Sequence, residues 1–95
     1  MYRFRITVEP VPPNAEAGSV QFEVENHDDI IAIARRMNGR FDLDEESSKA
    51  FAIGLKLFGE VVLKNRDREP FSLIRPSFGE FMKAVKAKVL SPPER

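Results

Sequence analysis

No cysteine occurs anywhere in this chain, which excludes disulfide frameworks, thiolate metal sites and thiol nucleophiles, and leaves nothing that points to secretion. One histidine is present, so a serine nucleophile would have little choice of base. Ser19, Ser47, Ser48, Ser72, Ser77 and Ser91 all lack an elbow of the form Gly-x-Ser-x-Gly. None of the five glycines falls in a Gly-x-Gly-x-x-Gly or Walker pattern, so no dinucleotide or phosphate cradle is signalled. The apolar stretch from Phe51 to Leu63 contains Lys56 and Glu60 and is too short to span a bilayer. The N-terminus opens on a strand-like pattern carrying Arg3 and Arg5, without the apolar region and small-residue cleavage site of a signal peptide. A cytoplasmic location away from membranes is the expectation. Neither sign of charge is in excess, with 15 Lys and Arg against 15 Asp and Glu, which argues against a large phosphate footprint.

What is there is enough for one domain, residues 1–95. A chain of this size buries roughly 60 to 65% of its unfolded surface, sufficient for one core without staples. The charge is balanced but not evenly spread. Residues 1–48 carry five basic against ten acidic side chains, and residues 49–95 the reverse. The halves therefore stand at minus five and plus five, which favours one half folding onto the other or a head-to-tail contact between chains. Part of this asymmetry is helix capping.

Two segments, Tyr2 to Glu9 and Ser19 to Glu25, alternate apolar and polar residues. With Val8 opposite Val20, an antiparallel pairing sets Ile6 against Phe22 and Phe4 against Val24 on one face. The other face then matches Arg5 with Glu23, Arg3 with Glu25 and Thr7 with Gln21. One register satisfies both faces, so it is strongly specified. The intervening residues 10–18 hold three prolines, an asparagine and a glycine, the chemistry of an irregular, flexible loop. A two-stranded sheet is marginal alone, so helices are expected to cover its apolar face.

Three helices follow. Ile30, Ile33, Ala34 and Met37 switch to helical spacing, with Asn26 as expected N-cap, Asp29 at its third position, and Arg35 and Arg36 before Gly39. A second helix is expected to start at Asp42, three residues before Glu45, and to run to about Arg66. Its apolar arc is wider than a surface helix needs, so two neighbours are expected on it. Gly54 and Gly59 inside it would each cost about 1 kcal/mol relative to alanine. A neighbouring backbone or ring is expected close to Gly54, with a helix break near Gly59 as the alternative. Phe71, Leu73 and Ile74 read as a short turn or as an early part of the last helix. Pro76 fits a helix start, Ser77 with Glu80 fits a capping box, and the helix ends near Leu90 before a short tail, residues 91–95. The fold class is α+β, a two-layer β-β-α-α-α arrangement with the second helix central.

The blocks Arg3-Phe4-Arg5-Ile6-Thr7-Val8, Phe22-Glu23-Val24-Glu25-Asn26-His27-Asp28-Asp29, Gly54-Leu55-Lys56-Leu57-Phe58-Gly59-Glu60-Val61 and Phe78-Gly79-Glu80-Phe81-Met82-Lys83 together resemble a family of short bacterial proteins, domain-of-unknown-function family 3861. The resemblance covers nearly the whole chain. It implies a bacterial, single-domain protein and carries no activity or site residue with it.

Candidate chemistry is sparse. His27, Asp28 and Asp29 are the one place where histidine meets carboxylates, but capping accounts for the carboxylates. Glu60 and Glu80 are isolated carboxylates in apolar helices; a catalytic pair would need them together, and Glu60 has Lys56 and Lys64 one turn away as simpler partners. No cofactor and no metal is expected. Lys83, Lys86 and Lys88, with Lys64, Arg66, Arg68 and Arg75, give a basic surface that makes a nucleic-acid-binding accessory protein the competing class. An enzyme assembled from distant residues is the second alternative. The reading that fits best is a non-enzymatic protein-interaction or regulatory module, with a protein partner or a homodimer through a sheet edge or the second helix.

Overall fold

Alternation in the first two segments makes a hairpin because it sorts apolar side chains to one face and charged ones to the other. In the computed structural model, which describes residues 1–90, strands β1 (Tyr2–Val8) and β2 (Val20–Asn26) pair antiparallel with Val8 opposite Val20, Ile6 opposite Phe22 and Phe4 opposite Val24. The polar face is cross-linked as the register requires: Arg5 bonds Glu23 at 3.1 Å, Gln21 donates to Thr7 at 3.0 Å, and Arg3 reaches Glu25 at 3.6 Å. Arg3 also reaches diagonally to Glu23 at 3.0 Å, so Glu23 gathers two guanidinium groups. Asn14 shapes the connecting loop by accepting from the N–H groups of Glu16 and Ala17.

Helices α1 (Ile30–Met37), α2 (Glu45–Lys64) and α3 (Phe71–Leu90) complete the β-β-α-α-α order. Their starts differ from expectation in three places. Asp29, not Asn26, caps α1, accepting from the N–H groups of Ile31 and Ala32; strand β2 continues past Glu25 and uses Asn26 as its last residue. Asp44, not Asp42, caps α2 through a 2.7 Å bond from the Ser47 N–H. Asp42 instead takes a left-handed φ of 54°, a conformation that aspartate tolerates better than most residues. Helix α3 begins at Phe71, the earlier of the two alternatives, so Pro76 lies inside it and Ser77 is no cap. The chain is already winding before Phe71, with Ser72 N–H bonded to Arg68 O and Leu73 N–H to Pro70 O. Pro76 then offers no N–H to the Ser72 carbonyl, a local loss that an interior proline entails.

Helix α1 ends as its sequence requires, with Gly39 at a left-handed φ of 77° just past the Asn38 cap, and α2 is unbroken through Gly54 and Gly59. Its last residue, Lys64, is two short of Arg66, within the fraying of a helix end. The short tail expected over residues 91–95 lies outside the described residues.

The core is helical. Met37, Ala52, Leu55 and Val85 are buried together, with Phe41, Phe51, Phe78 and Met82 packed around them. Edge-to-face ring contacts join Phe41 to Phe51, Phe51 to Phe81 and Phe58 to Phe78. Buried Ser48 donates to the Met37 carbonyl at 3.4 Å, so the start of α2 closes the end of α1. No hairpin side chain belongs to this cluster. The expectation that the helices cover the hairpin's apolar face is corrected: Val8 and Val20 are 61% exposed and Phe22 42%, while Phe4, Ile6 and Val24 are half-buried. The hairpin contacts α2 near the Asn26 end and extends from there. The Cα radius of gyration is 15.3 Å, against about 12 Å for a compact domain of this length. No helix among the described residues is long and apolar enough to cross a membrane.

Candidate functional site

The strongest convergence of polar groups lies where the hairpin joins the helices. Asn26 is 2% exposed; its amide donates to the Lys56 carbonyl on α2 at 3.2 Å and its oxygen accepts from the Asp28 N–H at 3.0 Å. The next residue, His27, turns its ring to Glu60, 33 positions away on α2, with Nδ1 3.1 Å from Oε1 and 3.0 Å from Oε2. Asp28 pairs with Lys56 at 2.9 Å. The adjacent side chains of the turn thus bond α2 at two points one helical turn apart, Lys56 and Glu60.

Glu60 has a side chain only 11% exposed, whereas that of His27 is 60% exposed. Burial pushes the Glu60 carboxyl up, but the His27 ring, the His27 N–H at 3.4 Å and the charge of Lys64 at 3.7 Å outweigh it, leaving the carboxyl below its ordinary value. Glu60 is therefore a carboxylate that accepts, and His27 presents Nδ1 to it as N–H. The Oε2 atom is buried without a directed hydrogen bond, and the Lys64 ammonium at 3.7 Å is the cation beside it. A His–carboxylate pair can orient a base, but the small cleft beside it, of about 220 Å³, is lined by Leu55, Gly59, Leu63, Phe78 and Met82 and by no hydroxyl group. What the arrangement does is lock the β2–α1 turn onto α2.

The other candidates are dispersed. Asp29 is occupied as the α1 cap. Glu80 is exposed on α3 and makes no polar contact among the described residues, and no contact joins it to Glu60. Lys83, Lys86 and Lys88 are exposed on α3; the first two line a groove of about 440 Å³ between α1, α2 and α3, and Lys88 does not. Among the described residues no group of three or more His, Cys, Asp or Glu could hold a metal ion.

Two features escaped the sequence. The His27–Glu60 contact had one signal: a carboxylate within an apolar arc needs a partner, and only one histidine exists. The second is an uncovered apolar face. Phe22 and Val24 of the hairpin meet Leu57, Phe58 and Val61 of α2 along an open cleft of about 590 Å³, whose borders are charged, with Arg3, Glu23 and Glu25 on the hairpin and Glu60 and Lys64 on α2. On α2 the exposed stripe continues through Gly54 and Ala50, on the side opposite buried Ser48, Ala52 and Leu55. The expected close neighbour of Gly54 is absent: a Cβ there would meet nothing within 4 Å. Gly59 is the tight one, since a Cβ added to it would lie 3.4 Å from the Phe78 ring.

Comparison with known proteins agrees with this architecture. The crystal structure of a protein of unknown function from Pectobacterium atrosepticum superposes with a TM-score of 0.82 at 32% identity, covering 90% of this chain and 97% of that one. No curated protein matches the chain. Residues 2–87 match the family described as a domain of unknown function with a solved structure (DUF3861), and the chain belongs to that family.

Proposed function

We propose that this protein is a cytoplasmic protein-interaction module that acts as a homodimer, self-associating through the apolar face shared by the hairpin and α2. The observation that carries this reading is the outer stripe Ala50, Gly54, Phe58 and Val61, exposed and continuous with Phe22 on the hairpin. An apolar arc wider than one packing face needs a second cover, and none of the described residues covers its outer side. Gly54 supports the same reading. Mid-helix glycine costs about 1 kcal/mol relative to alanine, and among the described residues nothing approaches closely enough to offset it. A small-residue pair four apart lets a second helix come near, and an identical helix across a two-fold axis is the partner that always has the matching patch. Zero net charge adds no repulsion between copies. The free edges of β1 and β2 flank this face and favour further pairing in the same assembly.

Light scattering across a concentration series tests it. The expected mass is twice the 10.8 kDa of the chain, falling to one chain in Phe22→Glu and in Gly54→Leu with circular dichroism unchanged. A single-chain mass at every concentration would defeat the proposal.

A further inference from the structure

A second unfilled surface lies on the other side of α2. Helices α1 and α3 both rest on α2 and leave between them the groove of about 440 Å³, floored by Met37, Leu55 and Val85 and walled by Ile33, Met82 and Val89. Its rim is cationic: Arg36 stands on the α1 wall, Lys83 and Lys86 on the α3 wall, and all three are exposed. Asp28, the carboxylate of the lining, is taken up by Lys56 at 2.9 Å. Arg36, Lys83 and Lys86 have no carboxylate partner among the described residues. Gly79 faces the same groove, and a Cβ added to it would meet nothing within 4 Å. An exposed helical glycine with open space above it is a destabilising choice within the chain alone. It makes sense as a notch for a close neighbour.

From these observations we infer that the α1–α2–α3 groove docks an acidic amphipathic helix of a partner protein, its apolar stripe on the groove floor and its carboxylates on Arg36, Lys83 and Lys86. The inference rests on the reading of the chain as an interaction module but uses a different surface from the dimer. The occupant is helical because the walls are helices, whose backbone groups are already bonded internally. An extended peptide would find no strand edge there, whereas a helix satisfies its own backbone. Gly79 to Val89 spans about 15 Å of α3, the length of three turns of a docked helix. A single-headed amphiphile fits less well, since cations stand on both walls and an open groove leaves much of a small ligand wet, where ligand sites bury about 70–90% of it. A second copy does not supply the helix either. Helix α1 carries Arg35 and Arg36 and no acid, α2 carries three acidic and three basic residues, and α3 carries four basic residues to one acidic. The partner is a different chain.

The probe is a fluorescent peptide of about 14 residues, with leucine at every third or fourth position and glutamate elsewhere, read by anisotropy against the intact protein. The expected result is saturable binding with Kd on the order of 10 µM, weakening with salt. Binding should fall at least about tenfold in the double variant Lys83→Glu with Lys86→Glu, and in Gly79→Leu, which fills the notch. Lys83 and Lys86 are surface side chains, so circular dichroism and the thermal midpoint should hold in the double variant. Light scattering on the same samples separates this inference from the dimer: the groove variants should keep the two-chain mass, and Phe22→Glu should bind the peptide as a single chain. The inference is overturned by no binding, by equal binding of a peptide with lysine in place of glutamate, or by undiminished binding in the double variant. It is equally overturned if dodecanoate binds while the peptide does not, or if the groove variants dissociate the dimer.

Discussion

Met37, Ala52, Leu55 and Val85 are buried together where the three helices meet, whereas in the hairpin the one buried residue is polar Asn26, and the apolar side chains range from half-buried to largely exposed. The two regions have comparable apolar content, so composition does not explain the difference. Geometry does. A helix that packs on α2 buries a stripe along its length, while the hairpin touches α2 near one end and holds its shape by cross-strand pairs. The helices are thus stabilised by a shared buried cluster, and the hairpin is ordered by its cross-strand pairs. The strongest way to break this comparison is to cut one large side chain from each region. Leu55→Ala should cost about 2–5 kcal/mol, as buried leucine truncations do. Val20→Ala should change stability by about 0.5 kcal/mol or less. Urea titrations of both at low protein concentration check this, and equal losses would show that the hairpin shares the core's stability.

The joint between the regions comes next in size. Asn26 bonds both the Lys56 carbonyl and the Asp28 N–H from a buried position, so Asn26→Ala should cost about 1–3 kcal/mol by leaving the Asp28 N–H without its acceptor and removing the tie to α2. Amide hydrogen exchange should accelerate in β1 and β2 more than in α2. Uniform acceleration would mean that Asn26 supports the whole domain and not the joint.

The hairpin was legible because each strand carries two independent patterns, apolar and charged, and one register satisfies both. The order of helices was legible from periodicity, down to Gly39 ending α1. The cap positions were not, because Asn26 and Asp29, or Asp42 and Asp44, are equally good acceptors by type and the choice depends on where the strand or loop stops turning. Pro76 misled for a similar reason: proline suits a first turn, but the winding that starts at Pro70 had already passed that point. The residues at the joint stand out in the sequence singly and not as contacts. His27 and Glu60 were both picked out, but their meeting spans 33 positions and depends on how the hairpin lies on α2. The groove and the uncovered face are properties of the assembled surface, and Gly79 and Gly54 acquire meaning only once the space around them is known.

The two mid-helix glycines of α2 sharpen the contrast between inward and outward faces. At low protein concentration, Gly54→Ala should raise stability by up to about 1 kcal/mol, since the new methyl meets nothing within 4 Å among the described residues. Gly59→Ala should gain less, since its methyl would sit 3.4 Å from the Phe78 ring and any adjustment of that ring offsets part of the helical gain. Thermal midpoints at low concentration check the order. A larger gain at Gly59 would place the close neighbour on the wrong face.

The smallest effect separates the two regions by charge. Glu60 at the joint and Glu23 on the hairpin are both held below the ordinary carboxylate value of 4.5: Glu60 by His27 and Lys64 against its burial, and Glu23 by hydrogen bonds from Arg5 and Arg3 and the charge of Arg3. A lowered folded value means that the unfolded chain takes up the proton first as pH falls. Each carboxylate therefore contributes stability that is fully present above about 4.5 and is lost as pH falls through the folded value. The stability difference between wild type and Glu60→Gln should accordingly be smaller at a pH below 4.5 than at one above it, and the same should hold for Glu23→Gln. Salt then distinguishes them. Glu23 and its arginines are exposed, so at about 1 M salt, where the screening length is about 3 Å, the hairpin's difference should flatten, while that of the largely buried Glu60 should persist. Urea midpoints of the two variants at both pH values and both salt concentrations read this directly. If the Glu60 difference also vanishes in salt, the joint is as open to solvent as the hairpin, and the division between a locked base and a free apolar face no longer holds.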